Sequence, residues 1–176
     1  MKKILNLTAL LALMSALCGC FWDEKIENNL TLHVCESRSE IGISRETVRM
    51  PETGVDFTVV KEPFMTMGDL ESVDVAEVYD PYAARMITGF QLNCAGMGAK
   101  KLFRETSKSI GGWILLKENG NPRAIRKIDS IITNGKLFMM LEYPKGTDIY
   151  QKAQDYSRDI KKVQEEIKKR EDNFWW

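Results

Sequence analysis

Reactive sulfur dominates the chemistry open to this chain, which carries four cysteines and one histidine. Cys20 closes the run Leu17-Cys18-Gly19-Cys20, after a start marked by Lys2 and Lys3 and an apolar stretch from Ile4 to Leu17. A basic opening, a short apolar centre and a small residue before the cut make a secretory signal; the apolar stretch falls short of the ~20 residues of a membrane helix. A Leu, one tolerated residue and a Gly directly ahead of a Cys form the pattern of a bacterial lipoprotein signal. The expected chemistry is therefore acylation of Cys20, with residues 1–19 removed. Modification of Cys18 instead would put Leu17 where the peptidase needs a small side chain. An ordinary cleaved signal is the alternative. Triacylation places several chains in the bilayer at about 0.8 kcal/mol per buried methylene, which makes such an anchor effectively permanent.

Cys18 leaves with the signal and Cys20 is acylated, so Cys35 and Cys94 remain. In an oxidising compartment an even remainder predicts a disulfide, which would close a loop of roughly 60 residues and stabilise the domain by about 4 kcal/mol in the chain-entropy model. Two buried free thiols are the alternative. His33, on the polar side of a predicted strand, has no Ser or Cys nucleophile at a triad-like spacing and reads as structural. The chain has no Cys-x-x-Cys, no His-Glu-x-x-His and no phosphate loop, so neither a metal nor another cofactor is expected. Gly96-Met97-Gly98 reads as a tight turn rather than an anion site. Catalysis is not expected. Met65, Met67, Met97, Met139 and Met140 read as core rather than as an adaptable binding surface.

Charge is balanced, 25 basic against 25 acidic residues, and losing Lys2 and Lys3 tips it slightly acidic. That balance gives no electrostatic footprint for nucleic acid. The 176 residues suit one domain after the signal, and no later stretch is long and apolar enough to span a membrane.

These residues must be positioned by short alternating segments. Residues 20–29 read as a tether, 30–145 as a domain and 146–176 as a C-terminal amphipathic helix with an aromatic end. Leu30, Leu32 and Val34 share one face of a strand, and Val55–Val60 and Val73–Val78 follow as further strands. Gly68-Asp69-Leu70 marks a turn or a single helical turn begun by Asp69. Met86, Thr88, Phe90 and Leu92 alternate on the next strand. A helix with Ala99, Leu102, Phe103, Thr106 and Ile110 as its apolar stripe ends at Gly111-Gly112. Trp113–Leu116 is a strand, Asn119-Gly120 a turn, and Pro122 predicts a late start for the return strand. Ile125, Ile128, Ile131 and Ile132 are spaced for a short helix, and Leu137–Tyr143 is the last strand. The expected class is α+β: a mainly antiparallel sheet packed with one main helix and a short helix, plus the long C-terminal helix.

The run Gly98-Ala99-Lys100-Lys101-Leu102, then Thr106, Gly111, an apolar strand, Asn119-Gly120, Ile128, Ile132 and Gly135, resembles the head subdomain in the first periplasmic domain of SecD and SecDF translocase subunits. The family pattern of Gly-Ala-x-x-Phe, Thr, Gly, apolar strand, Asp-Gly, Pro-x-Ile, Ile and Gly lies on Gly98–Gly135 without a gap. Met67-Gly68-Asp69-Leu70 is similar to the Asp-Ile that opens the family's second segment, extending the resemblance over Leu30–Tyr143. Leu102 replaces the family's Phe and Asn119 its Asp, which keep a core position and a turn. Arg126 replaces the usual Pro, removing a kink. The translocase subunits move this head with proton-driven membrane helices, so that motor is not expected here. The resemblance implies a domain that binds protein: exported, unfolded polypeptide or a translocase or envelope component. Together with the Cys20 signal and the lack of a catalytic motif, the expectation is a non-catalytic envelope lipoprotein, lipid-anchored and facing the periplasm or exterior.

One feature lies outside that pattern. Ile149, Ala153, Tyr156, Ile160, Val163 and Ile167 step by four and three along a helix expected from Asp148 to Asp172. Docking on the chain's own sheet, homo-oligomerisation and a partner helix are all open readings of this stripe. Ile160, Val163 and Ile167, with Trp175 and Trp176 at the aromatic end, are the candidate partner contacts. The competing reading is thus a structural or assembly lipoprotein that works through this helix and has no substrate.

Overall fold

The computed structural model of the protein describes residues 26–35, 42–80 and 84–174. Its strands are β1 (Leu30–Cys35), β2 (Arg45–Arg49), β3 (Asp56–Val60), β4 (Met65–Thr66), β5 (Leu70–Asp80), β6 (Arg85–Cys94), β7 (Trp113–Glu118), β8 (Asn121–Lys127) and β9 (Lys136–Leu141). Helix α1 covers Met97–Lys108 and α2 covers Ile149–Phe174. The strands form one antiparallel sheet in the order β2-β3-β1-β7-β8-β9-β6-β5, with β4 paired to β1 off that path. This is the expected α+β class.

The helices lie on one face of the sheet, and the main core fills the space between. Leu30, Leu32, Phe90, Leu92, Ile114, Leu116, Leu137 and Met139 alternate inward from their strands to meet Leu102 of α1 and Ala153, Tyr156 and Ile160 of α2. Met65 and Met67 join them, whereas Met97 is exposed. A second cluster lies on the opposite face, where the β2–β3 hairpin folds Val48, Phe57 and Val59 onto Cys35, Leu115 and Ile125. The sequence reading contained no β2, because its only aliphatic residue is Val48 and its order comes from the ladder with β3.

Two expectations around the Asn119-Gly120 turn are corrected. Both residues have positive φ, 51° and 82°, the geometry that closes a tight hairpin, so β8 begins directly at Asn121. Pro122 is accommodated by the register shift beside Leu116 and Lys117 instead of delaying the strand. The short helix expected around Ile125–Ile132 is absent: Ile125 belongs to β8, opposite Leu115 and Met140, and Ile128–Gly135 is irregular chain. Ile128 still reaches the core, so a strand end followed by one inward loop residue imitates helical spacing.

The single helical turn is present, but it spans Met67–Asp69 and ends at Asp69. The Asp69 carboxylate accepts from the Thr66 N–H at 3.0 Å and from Lys101 Nζ at 2.8 Å, tying this turn to α1. Gly98 allows that approach, since a Cβ there would stand 1.9 Å from the Asp69 carbonyl oxygen. On α1 itself, Leu102 and Thr106 are buried as expected, while Phe103 and, just beyond the helix, Ile110 are exposed.

The chain leading into β1 is docked, not a free tether, from Ile26 onward. Asn28 donates through its backbone N–H and its Nδ2 to Asp159 Oδ2 of α2, at 3.1 and 2.9 Å. Asn29 and Asn119 exchange two bonds of 2.8 Å. Glu118 of β7, nearly buried, accepts from Lys152 of α2 at 2.7 Å and Arg123 at 3.1 Å. These polar clamps hold α2 and the incoming chain at the hairpin end of the sheet.

Candidate functional site

Among the sequence candidates, Cys20, Trp175 and Trp176 lie outside the described residues. Cys35 and Cys94 are both free and buried, so the expected disulfide is not formed. The cause is topological: β7, β8 and β9 intervene between β1 and β6, and the two thiols belong to clusters on opposite faces. Burial pushes both thiols up to about 12, which keeps them protonated and unreactive. His33 is buried, not on a solvated face; its Nδ1–H donates to the Val60 carbonyl at 2.9 Å and its Nε2 accepts from Thr31 Oγ1 at 3.0 Å. Burial lowers its pKa, with the nearby Lys117 ammonium acting in the same sense.

The helical stripe is mostly spent inside the molecule. Ile160 is fully buried, which removes it from any surface a partner could reach, and Val163 is partly buried against the main core. Ile167 is 41% exposed, and its Cδ1 lies 2.8 Å from where a Cβ on Gly68 would stand.

A cleft that no sequence motif marked opens instead on the sheet face away from the helices. The β2–β3 hairpin covers that face only as far as Trp113, whose ring meets Phe57 edge-on with centroids 5.6 Å apart. Beyond Trp113 no described element covers the outward residues of β5, β6 and β9. Val78 stands opposite Ile87, and the Phe138 ring lies across Gly89, where an added Cβ would come within 2.4 Å of it. With Trp113 and Met140 these side chains form the floor of a cavity of about 400 Å³, rimmed by Asp80, Arg126, Lys127 and Asp129. Arg126, which stands where the family pattern has Pro, sits in β8 opposite Ile114 and leans toward Asp129 at 3.9 Å. The signal available in the sequence was the alternation Val78, Ile87, Phe138 and Met140 on strands whose other face is core. One sheet with two apolar faces needs two covers, and among the described residues only part of the second is present.

Past the cleft the same face turns polar. Asn93 Nδ2 donates to Ser72 Oγ at 2.9 Å and to Asp74 Oδ2 at 2.6 Å, and Gln91 donates to Asn93 at 3.3 Å. Among the described residues no cluster of three or more His, Cys, Asp or Glu side chains could hold a metal ion, and no helix is long and apolar enough to cross a membrane. The chemistry the cleft offers is desolvation of apolar side chains between charged rims.

No protein-family model and no curated protein matches the chain. Solved structures do. A structure of SecDF, described as a membrane component that enhances protein export, is 18% identical over 76% of this chain and 62% of its own, with a TM-score of 0.49. SecDF in a super-membrane-facing form is 17% identical over 76% of this chain and 18% of its own, with a TM-score of 0.50. The chain thus matches less than two thirds of either protein's length. The second likeness establishes a shared fold, that of a SecD/SecDF head-like domain.

Proposed function

We propose that this chain is a non-catalytic envelope lipoprotein, anchored through Cys20, whose head-like domain binds protein in the service of export: an exported polypeptide or a component of the translocase. The observation that carries this reading is the SecDF-like fold over 76% of the chain, joined to a half-covered apolar cleft on the face that the helices leave open. SecDF enhances protein export as a membrane component. On this reading the present chain supplies the polypeptide-binding part and is held at the membrane by a lipid. The burial of Ala153, Tyr156 and Ile160 in the core, with Val163 packed against it, argues against a purely structural role through the C-terminal helix.

The test has two arms. Metabolic labelling with a fatty-acid analogue should mark the full-length protein, be abolished by Cys20→Ser and survive Cys18→Ser. Site-specific photo-crosslinkers at Ile87 and Phe138 should then capture a translocation-arrested secretory precursor or a translocase subunit. Labelling that persists in the Cys20 variant overturns the anchor. Absence of both adducts from cleft positions, with the protein correctly exported, overturns the binding reading.

A further inference from the structure

A sheet with two ends must manage two rows of unpaired backbone groups, and this protein manages them unequally. At one end β2 is short and carries Arg45, Glu46 and Arg49, the kind of charge that blunts an edge. At the other end β5 runs for 11 residues. Its first part is closed by α2: Ser157 Oγ accepts from the Val73 N–H at 3.0 Å and donates to the Val73 carbonyl at 2.9 Å, and Gln164 Nε2 donates to the Leu70 carbonyl.

Those bonds fix the direction of the rest. Since the Val73 N–H and C=O point away from β6, antiparallel alternation directs the same groups of Val75, Glu77 and Tyr79 the same way. Among the described residues no strand pairs with β5 on that side. The irregularity of β5 is confined to Leu70–Ser72, and Val75–Asp80 contains neither Pro nor Lys, so this stretch keeps regular ladder geometry. Val78 and Tyr79 are 42% and 57% exposed, and both also line the cleft.

We propose that Val75–Asp80 is a strand-addition site that takes an extended, basic segment of a partner polypeptide, bonded to the outward groups of Val75, Glu77 and Tyr79. Charge selects the occupant. Glu71, Asp74, Glu77 and Asp80 are spread along β5, which has no basic residue; Arg85 of β6, opposite Asp80, is the nearest cation in the ladder. Two copies joined through β5 would set these acidic rows against each other, whereas a Lys- or Arg-bearing strand meets them favourably. Side chains of the added strand on the cleft side would continue its apolar floor past Val78. The proposal deepens the polypeptide-binding reading above by naming the contact and the chemistry of the partner segment.

The experiment measures binding of the full chain to a synthetic peptide of about ten residues alternating Val and Lys. Its controls are a Val-Glu counterpart and the Val-Lys peptide N-methylated at every second amide. The Val-Lys peptide should bind at least about tenfold tighter than either control, because one loses the charge match and the other the edge bonds. Glu77→Lys should weaken the Val-Lys peptide and strengthen the Val-Glu one. Glu77→Pro should weaken binding at least about tenfold, since proline removes an outward N–H that β6 does not use. Equal binding of the N-methylated and parent peptides by the unaltered chain overturns strand addition, whatever the fate of the variants. If the peptides fail to discriminate while the secretory precursor is still crosslinked at Ile87, the edge proposal fails and the cleft reading stands. Loss of precursor and peptides together removes both.

Discussion

His33 is held neutral by its surroundings, and that has a consequence for pH. Burial and the Lys117 ammonium lower its pKa from 6.5, the Val60 carbonyl offsetting only part. The unfolded chain therefore binds a proton more readily than the native one. The stability His33 contributes is complete above 6.5 and lost as pH falls through the lowered native value. Glu118 behaves alike in a separate, more acid window. Burial pushes its carboxyl upward, but Lys152, Tyr156 and Arg123 together hold it below 4.5, so its contribution disappears only below that value. Denaturant midpoints across pH should show His33→Gln losing about 1–3 kcal/mol at neutral pH and losing less than the parent between 6.5 and the Glu118 window. A parallel pH profile for the two proteins would show that His33 does not titrate with folding. The sequence made His33 legible as structural, but not as buried, because β1 is covered on both faces by elements distant along the chain. The same non-locality defeated the cysteine reading: an even count says nothing about which face of which strand each thiol occupies.

At the scale of elements, α2 was legible as a helix with a stripe, yet its partner was not, since a heptad-like stripe on a sheet and one in a coiled coil differ only in what faces them. The structure places Ala153, Tyr156 and Ile160 in the main core, with the Tyr156 ring edge-on to Phe90 at 5.7 Å. Burying such side chains contributes roughly 1.5–3 kcal/mol for each large one, a sum comparable to a whole domain's stability of about 5–15 kcal/mol. Removing α2 would also strip Lys152 from the nearly buried Glu118 and Ser157 from the β5 edge. A chain ending at Lys145 is therefore expected to lose its cooperative thermal transition, and Ile160→Asp to cost at least ~4 kcal/mol in denaturant titrations. A sharp melt for the shortened chain would demote α2 to an accessory. The strands were more legible than the irregular Ile128–Gly135 segment, because period-two alternation survives in sequence while a loop anchored by Ile128 and by the Ile132 N–H bond to Thr106 leaves no periodic trace.

At the scale of the whole molecule, the two ends of β7 separate the place where the chain enters from the place where the cleft opens. Asn119, just past its C-terminal end, is bonded to Asn29, while Trp113 at its start lines the cleft. At about 3.3 Å per residue these points stand ~20 Å apart along the strand. The stretch from Cys20 to Ile26 can span at most ~21 Å, so an acylated Cys20 would hold the Asn119 end close to the bilayer. The cleft and the open edge of β5, which ends at Asp80 beside it, would then face away from the membrane, toward passing polypeptide. Because Cys35 and Cys94 are buried, with thiols pushed up to about 12, a surface cysteine can be labelled selectively. A fluorophore at Asn121→Cys in the lipidated, vesicle-bound protein should be quenched by headgroup-labelled lipid more strongly than one at Lys127→Cys. Equal quenching at the two sites, or stronger quenching at Lys127→Cys, would show that the domain lies on its side or is inverted. The cleft would then have to work against the membrane surface instead of away from it.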